Sequence, residues 1–257
     1  VIPVTVFSHL SEAFTEDEVR KMMLKCGKSA AGPDRLDFQT LTQIEPRVLA
    51  THFNLWLHAS EMPGVFNRAR TIFLEKEKGT EDPLAHRPLS IASHVSRLMH
   101  KCLAHRIDEA VPLSLRQKGF RKGDGIGTNI HLLRNAIDVC KNRRSPLKAV
   151  FLDLAKAFDS VSHDSIIVAG RRAGLPEKLL AYLKGLYSNA ETVMEYKGLK
   201  SVPVKCTRGV RQGDPLSPIL FNLVLDLVLS KLPTTTGLKV VDMILTYLAY
   251  ADDTVLF

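Results

Sequence analysis

Three carboxylates carry the most chemistry in this sequence. Asp153 lies at the end of the apolar run LKAVFLDL (Leu147 to Leu154), and Asp252 and Asp253 stand together inside LTYLAYADDTVLF (Leu245 to Phe257). Carboxylates gathered at one point repel each other and are costly to bury. A divalent cation removes that cost, and an all-oxygen donor set suits Mg²⁺, which keeps waters and takes phosphate oxygens for its remaining positions. Two such ions roughly 3.5–4 Å apart would stabilise the attacking 3′-oxygen and the leaving group of an in-line displacement. An isolated Asp-Asp pair in a hairpin is an ordinary turn, because Asp favours turns. Asp153 on a separate strand shifts the reading towards metal chemistry.

The elements that must position these groups follow from local pattern. Thr15 before EDEVRKMMLKC predicts an N-cap, an acidic first turn and a helix. PRVLATHFNLWLHAS from Pro46 has helical periodicity, RTIFLE (Arg70 to Glu75) is a short strand, and EKEKGTEDPLAHRP is a polar connector. Helix resumes at ASHVSRLMHKCLAHRIDEA, and again after Thr128 as N-cap at NIHLLRNAIDVCKN. Beyond Leu147 come a strand, helices over 164–173 and 177–187, and two strands over 192–196 and 201–206 joined at Lys197-Gly198. Asp214-Pro215 then opens an apolar helix over 216–232, and the chain ends strand, Asp-Asp, strand. The class is α+β, with a split β-α-β antiparallel sheet backed by helices. In that arrangement the first and last long strands are neighbours, which would bring Asp153 to the Asp252–Asp253 tip.

Composition narrows the partners. Hydrophobic residues make up 45% and charged residues 24% of 257 positions, enough for a sizeable core. No apolar run is long enough to span a bilayer, and no signal-peptide pattern opens the sequence, so no membrane role is expected. Cys26, Cys102, Cys140 and Cys206 lack C-x-x-C spacing and the nine histidines lack H-E-x-x-H. Zinc is therefore not expected, and the thiols fit a reducing intracellular compartment. Net charge is +8, and most of it falls between Lys101 and Lys148, where eleven Lys/Arg face four acids. Within that span RQKGFRKGDGIGTN (Arg116 to Asn129) combines basic residues with four glycines, which suits close approach to a phosphate backbone.

The motifs in order resemble a known family. KSAAGPDRL, HRPLSIASHVSRLMHKCLAHRI, QKGFRKGDGIGTNIHLL, VFLDLAKAFDSVSHDSI, RGVRQGDPLSPILFNLVLD and YADDTVLF resemble the fingers and palm of a right-hand polymerase. The resemblance is to the reverse transcriptase of a non-LTR retrotransposon, most like the class inserting into ribosomal DNA. It implies an RNA-directed DNA polymerase that extends a DNA 3′-OH with dNTPs on an RNA template, for target-primed retrotransposition in the nucleus. Two Mg²⁺ ions, with Mn²⁺ as a substitute, are implied on Asp153, Asp252 and Asp253. Phe158 falls where the family has an aromatic against the sugar, although its residue type alone equally suits the core. Gln212 and Gly213 fall beside the incoming nucleotide. Arg87 and Lys76 fall at the triphosphate, with Lys78 open as the alternative lysine because Glu75 and Glu77 flank the site. Arg121, Lys122, Arg211 and Tyr250 are implied along template or primer.

The resemblance divides the chain at 127/128, with fingers and an N-terminal extension before and palm after, and with 165–205 partly in the fingers. It also implies a thumb, an endonuclease and DNA-binding fingers elsewhere in the polyprotein, so this portion by itself is expected to bind nucleic acid weakly. A group II intron type reverse transcriptase and a non-catalytic nucleic-acid-binding module with the same fold are the alternatives. A decayed copy should have lost Asp153, Asp252 or Gln212, and all three are present.

Overall fold

The computed structural model describes residues 5–80, 82, 85–240 and 243–257. Part of the polar connector EKEKGTEDPLAHRP lies outside these residues. Helices α1 (Glu16–Leu24), α2 (Phe38–Gln43), α3 (Pro46–Ala59) and the single turn α4 (Gly64–Asn67) come first. Thr15 caps α1 by accepting from the Glu18 N–H at 3.2 Å, and three acids in the first turn favour the positive end of the helix dipole. Pro46 opens α3, where its missing N–H costs nothing.

Strands β1 (Ala69–Glu75) and β2 (His86–Ala92) follow, then the central helix α5 (His94–Ala110) and α6 (Gly125–Asn142). Next come β3 (Val150–Leu152), the turn α7 (Ala157–Ser160), α8 (His163–Arg172) and α9 (Glu177–Ser188). The chain continues through β4 (Glu191–Tyr196), β5 (Leu199–Lys200), β6 (Val204–Lys205), α10 (Ser217–Leu229), β7 (Leu238–Val240), β8 (Met243–Leu245), β9 (Tyr247–Tyr250) and β10 (Asp253–Leu256).

One apolar core unites α1, α3, α5, α8, α9 and α10. Leu98, Met99, Leu103 and Ile107 of α5 pack there with Phe53 of α3, Leu179 and Leu183 of α9, and Leu220 of α10. Each such side chain contributes roughly 1.5–3 kcal/mol on burial. A smaller cluster of Ala136, Leu245 and Leu248 seats α6 on the strands that lead to the Asp252 turn.

The strands form separate sheets. In the larger, β1 runs antiparallel to β2 and parallel to β4, and β4 carries both β5 and β6. In the second the order is β3-β10-β9, all antiparallel, and β7 pairs with β8 by itself. The first and last strands of the split motif are thus neighbours as expected, but the intervening hairpin joins the larger sheet. Its turn is Lys197-Gly198 with positive φ at both residues, the geometry that matches strand twist. Its second arm is split at Ser201, whose N–H donates to the Met194 carbonyl while its hydroxyl, in place of a backbone carbonyl, accepts from the Met194 N–H.

Three boundaries differ from the sequence pattern. The N-cap of α6 is Asp124, whose carboxylate accepts from the Gly127 N–H at 2.8 Å, while Thr128 sits inside the helix with its hydroxyl on the Asp124 carbonyl. Helix α10 starts at Ser217 with Pro218 in its first turn, because Asp214 caps the preceding turn through the Leu216 N–H at 2.9 Å. Strand β3 is three residues long and exposed, and among the described residues it pairs with the short β10 alone. Among the described residues no helix is long and apolar enough to cross a membrane.

Candidate active site

The β3–β10 register sets the geometry. Leu152 pairs with Thr254, so Asp153, one residue further, comes level with Asp253 across the ladder. Tyr250 pairs with Asp253, which leaves Ala251-Asp252 as a two-residue turn. Asp153 and Asp252 line one cleft of about 930 Å³. Lys76, Arg87, Phe158, Gln212 and Gly213 line it too, so seven of the residues singled out in the sequence meet there. Lys78 does not line the cleft, so of these two lysines it is Lys76 that faces it.

Asp253 is placed differently. It is exposed and lines, with Asp153 and Tyr250, a separate groove of about 370 Å³ beneath α6. Successive residues at a strand end point to opposite sides, which parts Asp252 from Asp253. Among the described residues no three His, Cys, Asp or Glu side chains form a group that could hold a metal ion. The expected meeting of three carboxylates is thus reduced to Asp153 and Asp252 on a shared cleft, with Asp253 on the neighbouring groove. Two oxygen donors that leave most positions open fit a hard cation that keeps waters and takes phosphate oxygens.

The other walls are ordered by specific contacts. The Gln212 amide Nε2 donates to Asp159 Oδ1 at 3.0 Å, and the Gln212 carbonyl accepts from the Ser90 N–H at 2.8 Å, so β2 holds this loop. Gly213 has φ 106°, and a Cβ there would stand 2.8 Å from the Ser90 carbonyl oxygen. Its lack of a side chain serves the β2 backbone as well as the cleft. The Phe158 ring packs between Phe221 (centroids 5.0 Å apart) and Phe120 (5.8 Å), so it is at once a packed aromatic and a cleft wall.

Arg211, expected along template or primer, is turned inward. It is 8% exposed and donates from Nη2 to Asn67 Oδ1 at 2.6 Å. Close by, buried Asp214 pairs with His100 Nδ1 at 2.6 Å, and His100 Nε2 meets the Tyr182 hydroxyl at 2.9 Å. Burial pushes the Asp214 carboxyl up, but His100, the Leu216 N–H and Arg211 together outweigh it and hold the group below its ordinary range. Burial drives the Tyr182 phenol well above its ordinary value. Tyr250 lines the groove under α6 and not the cleft. Arg121 and Lys122 are likewise off the cleft, and Arg121 Nη1 makes only a long 3.4 Å bond to the Leu113 carbonyl.

Residues 75–257 match the family model described as reverse transcriptase (RNA-dependent DNA polymerase). The chain belongs to the reverse transcriptase family. It is 39% identical over 248 residues to the Retrovirus-related Pol polyprotein from type-1 retrotransposable element R2 of Nasonia vitripennis, covering 96% of this chain and 24% of that protein. It is 34% identical to the corresponding polyprotein of the type-2 element R2DM of Drosophila melanogaster, covering 95% of this chain and 23% of that one. These relatives bear out the resemblance to a non-LTR retrotransposon reverse transcriptase. The chain spans about a quarter of the length of these curated relatives. Among solved structures it is similar to the partial Cas6-RT-Cas1–Cas2 complex, at 18% identity and TM-score 0.46, covering 96% of this chain and 37% of that one.

Membership of the reverse transcriptase family gives the cleft a context, and the structure adds residues that motif reading passed over. Lys156, in the left-handed region at φ 50°, and Asp159 both line the cleft. Phe120 does so as well, with φ 57° and 55% exposure. An apolar ring held exposed in a basic, glycine-rich loop was the available signal for Phe120.

Proposed function

We propose that the protein is an RNA-directed DNA polymerase that extends a DNA 3′-OH on an RNA template, in the target-primed copying of a retrotransposon inserting into ribosomal DNA. The observation that carries this is the shared cleft, where Asp153 and Asp252 on adjacent strand ends face Lys76, Arg87, Phe158 and Gln212. Divalent-metal use is general to the family. When bound, two Mg²⁺ ions supply charge stabilisation to the attacking and departing oxygens. Asp153 and Asp252 are the residues that would hold them, with Asp253 in a supporting role.

The chain's own groups do the rest. Arg87 offers a planar fork to the triphosphate, and Lys76 a second positive charge at the same cleft. Phe158, backed by Phe221, leaves a ring where a 2′-hydroxyl would have to fit, which selects deoxynucleotides. Asp159 orients the Gln212 amide towards the nucleotide and its template base. We read the β2-β1-β4 sheet as fingers and the β3-β10-β9 sheet as palm, with the cleft between them.

The test is primer extension by the full-length protein on an RNA template with dNTPs and Mg²⁺, comparing wild type with Asp252→Asn. Loss of extension with unchanged template–primer affinity supports the assignment. Equal extension by the two refutes it and leaves a nucleic-acid-binding module.

A further inference from the structure

Gln117, in the loop before α6, holds a buried side-chain amide that the assigned chemistry does not use. It is 1% exposed. Its Oε1 accepts from the Ala251 N–H and from the Gly119 N–H, both at 2.9 Å, and its Nε2 donates to the Ala251 carbonyl at 3.2 Å. One side chain therefore satisfies both polar groups of one peptide residue, as a neighbouring strand would. That residue is the one immediately before Asp252, where the β9–β10 ladder gives way to the turn.

The segment around Gln117 is itself fixed. Residues 116–118 run parallel to β9, with the Ala249 N–H donating to the Arg116 carbonyl and the Lys118 N–H to the Ala249 carbonyl, each at 2.9 Å. The Gly119 carbonyl accepts from Nδ2 of fully buried Asn222 on α10 at 2.8 Å. This strap thus ties the Asp252 turn to the helix that follows Gln212 and Gly213.

Ala251 needs an external hold. Its φ is 54°, a conformation that costs a side-chain-bearing residue and that two-residue turns usually give to Gly or Asn. Ala-Asp has no intrinsic preference for it, so surrounding groups impose it. Both ends of the Gln117 amide engage Ala251, and at 1% exposure the group is shielded from the cleft.

We infer that Gln117 is a positioning residue that fixes the turn presenting Asp252 to the cleft. This rests on the reading of Asp252 as a cation-holding carboxylate. Gln117→Met keeps the length and removes every hydrogen bond, whereas Gln117→Glu keeps both acceptor contacts and loses the donor when ionised.

In full-length protein, primer extension is measured with dNTP and Mg²⁺ titrations, normalised to titrated active sites, beside melting temperature and template–primer affinity. Gln117→Met should lower kcat about 10- to 100-fold, the effect of misplacing a reacting group by up to an ångström. It should raise the Mg²⁺ midpoint while KM for dNTP and template–primer affinity stay near wild type. Gln117→Glu should fall between the two, and it decides the matter if Gln117→Met fails to fold. A folded variant with wild-type kcat and Mg²⁺ midpoint overturns the inference. Asp252→Asn run in parallel separates the two claims. If it stays active the polymerase assignment fails, and if it is inactive while Gln117→Met is fully active only the positioning role fails.

Discussion

Gly119→Ala probes the packing beneath the Asp252 turn by adding one methyl group. A Cβ at position 119 would stand 2.0 Å from the Ala251 nitrogen and 2.6 Å from its Cα. Ordinary non-bonded contact is about 3.5 Å, so one backbone must retreat by roughly 1.5 Å. Gly119 is held by Gln117 on one side and Asn222 on the other, so the turn is the part that moves. A displacement of about 1 Å at a reacting group costs on the order of 10²-fold in rate, or about 2.7 kcal/mol of barrier. The same clash costs about 1–3 kcal/mol in stability, which lowers the melting temperature by several degrees. Primer extension normalised to titrated active sites, alongside thermal melting, separates the two effects, because a modest stability loss leaves kcat per folded molecule intact at 25 °C. A kcat per site within about twofold of wild type would refute the claim that the 117–119 strap sets the catalytic turn.

Three further outcomes follow from particular contacts. Phe158→Val should raise ribonucleotide incorporation relative to deoxynucleotide by about 10- to 200-fold in primer extension, and unchanged sugar discrimination removes its proposed role. Arg211→Met should cost about 1–3 kcal/mol in melting experiments by leaving the buried Asn67 Oδ1 without its donor, yet leave the salt slope of nucleic-acid binding unchanged, because Arg211 faces inward. A flatter slope would place its guanidinium on a phosphate. The folded Asp214 carboxyl lies below its unfolded value of about 3.9, so its contribution is present above that pH and disappears as pH falls through the folded pKa. Asp214→Asn should therefore be less stable at pH 7 and show a shallower decline below about pH 4, and parallel melting curves for the two proteins would contradict this.

Local chemistry made much of the fold legible. Thr15, Pro46 and the Lys197-Gly198 turn stand where their backbone preferences direct. Asp153 at a strand end beside the last strand follows from the order of elements. What local pattern does not contain is the partner of a strand. The 192–196 strand has the same alternation whichever sheet it joins, and the parallel ladder with Ala69–Ile72 is decided by packing between distant segments. Arg211 shows the same limit, because a basic residue next to a nucleotide loop resembles a phosphate ligand until Asn67 is seen facing it. Gln117 was legible only as part of a basic loop, since the turn it holds, at Ala251, lies more than 130 residues away. Gly119 was read as room for a phosphate, whereas the structure gives that room to Ala251.

The pairing of β1 with β4 also fixes an order of events during synthesis. Thr192 donates its hydroxyl to the carbonyl of Ala69, 123 positions earlier in the chain. At about 5–20 residues per second, the ribosome needs on the order of ten seconds to supply the partner after β1 emerges. Through that interval the β1–β2 hairpin carries one open edge, with Arg68, Arg70 and the polar Thr71 at its start. Charge along an open edge discourages pairing with a stranger. The nascent chain thus protects its half-built sheet until its own strand arrives.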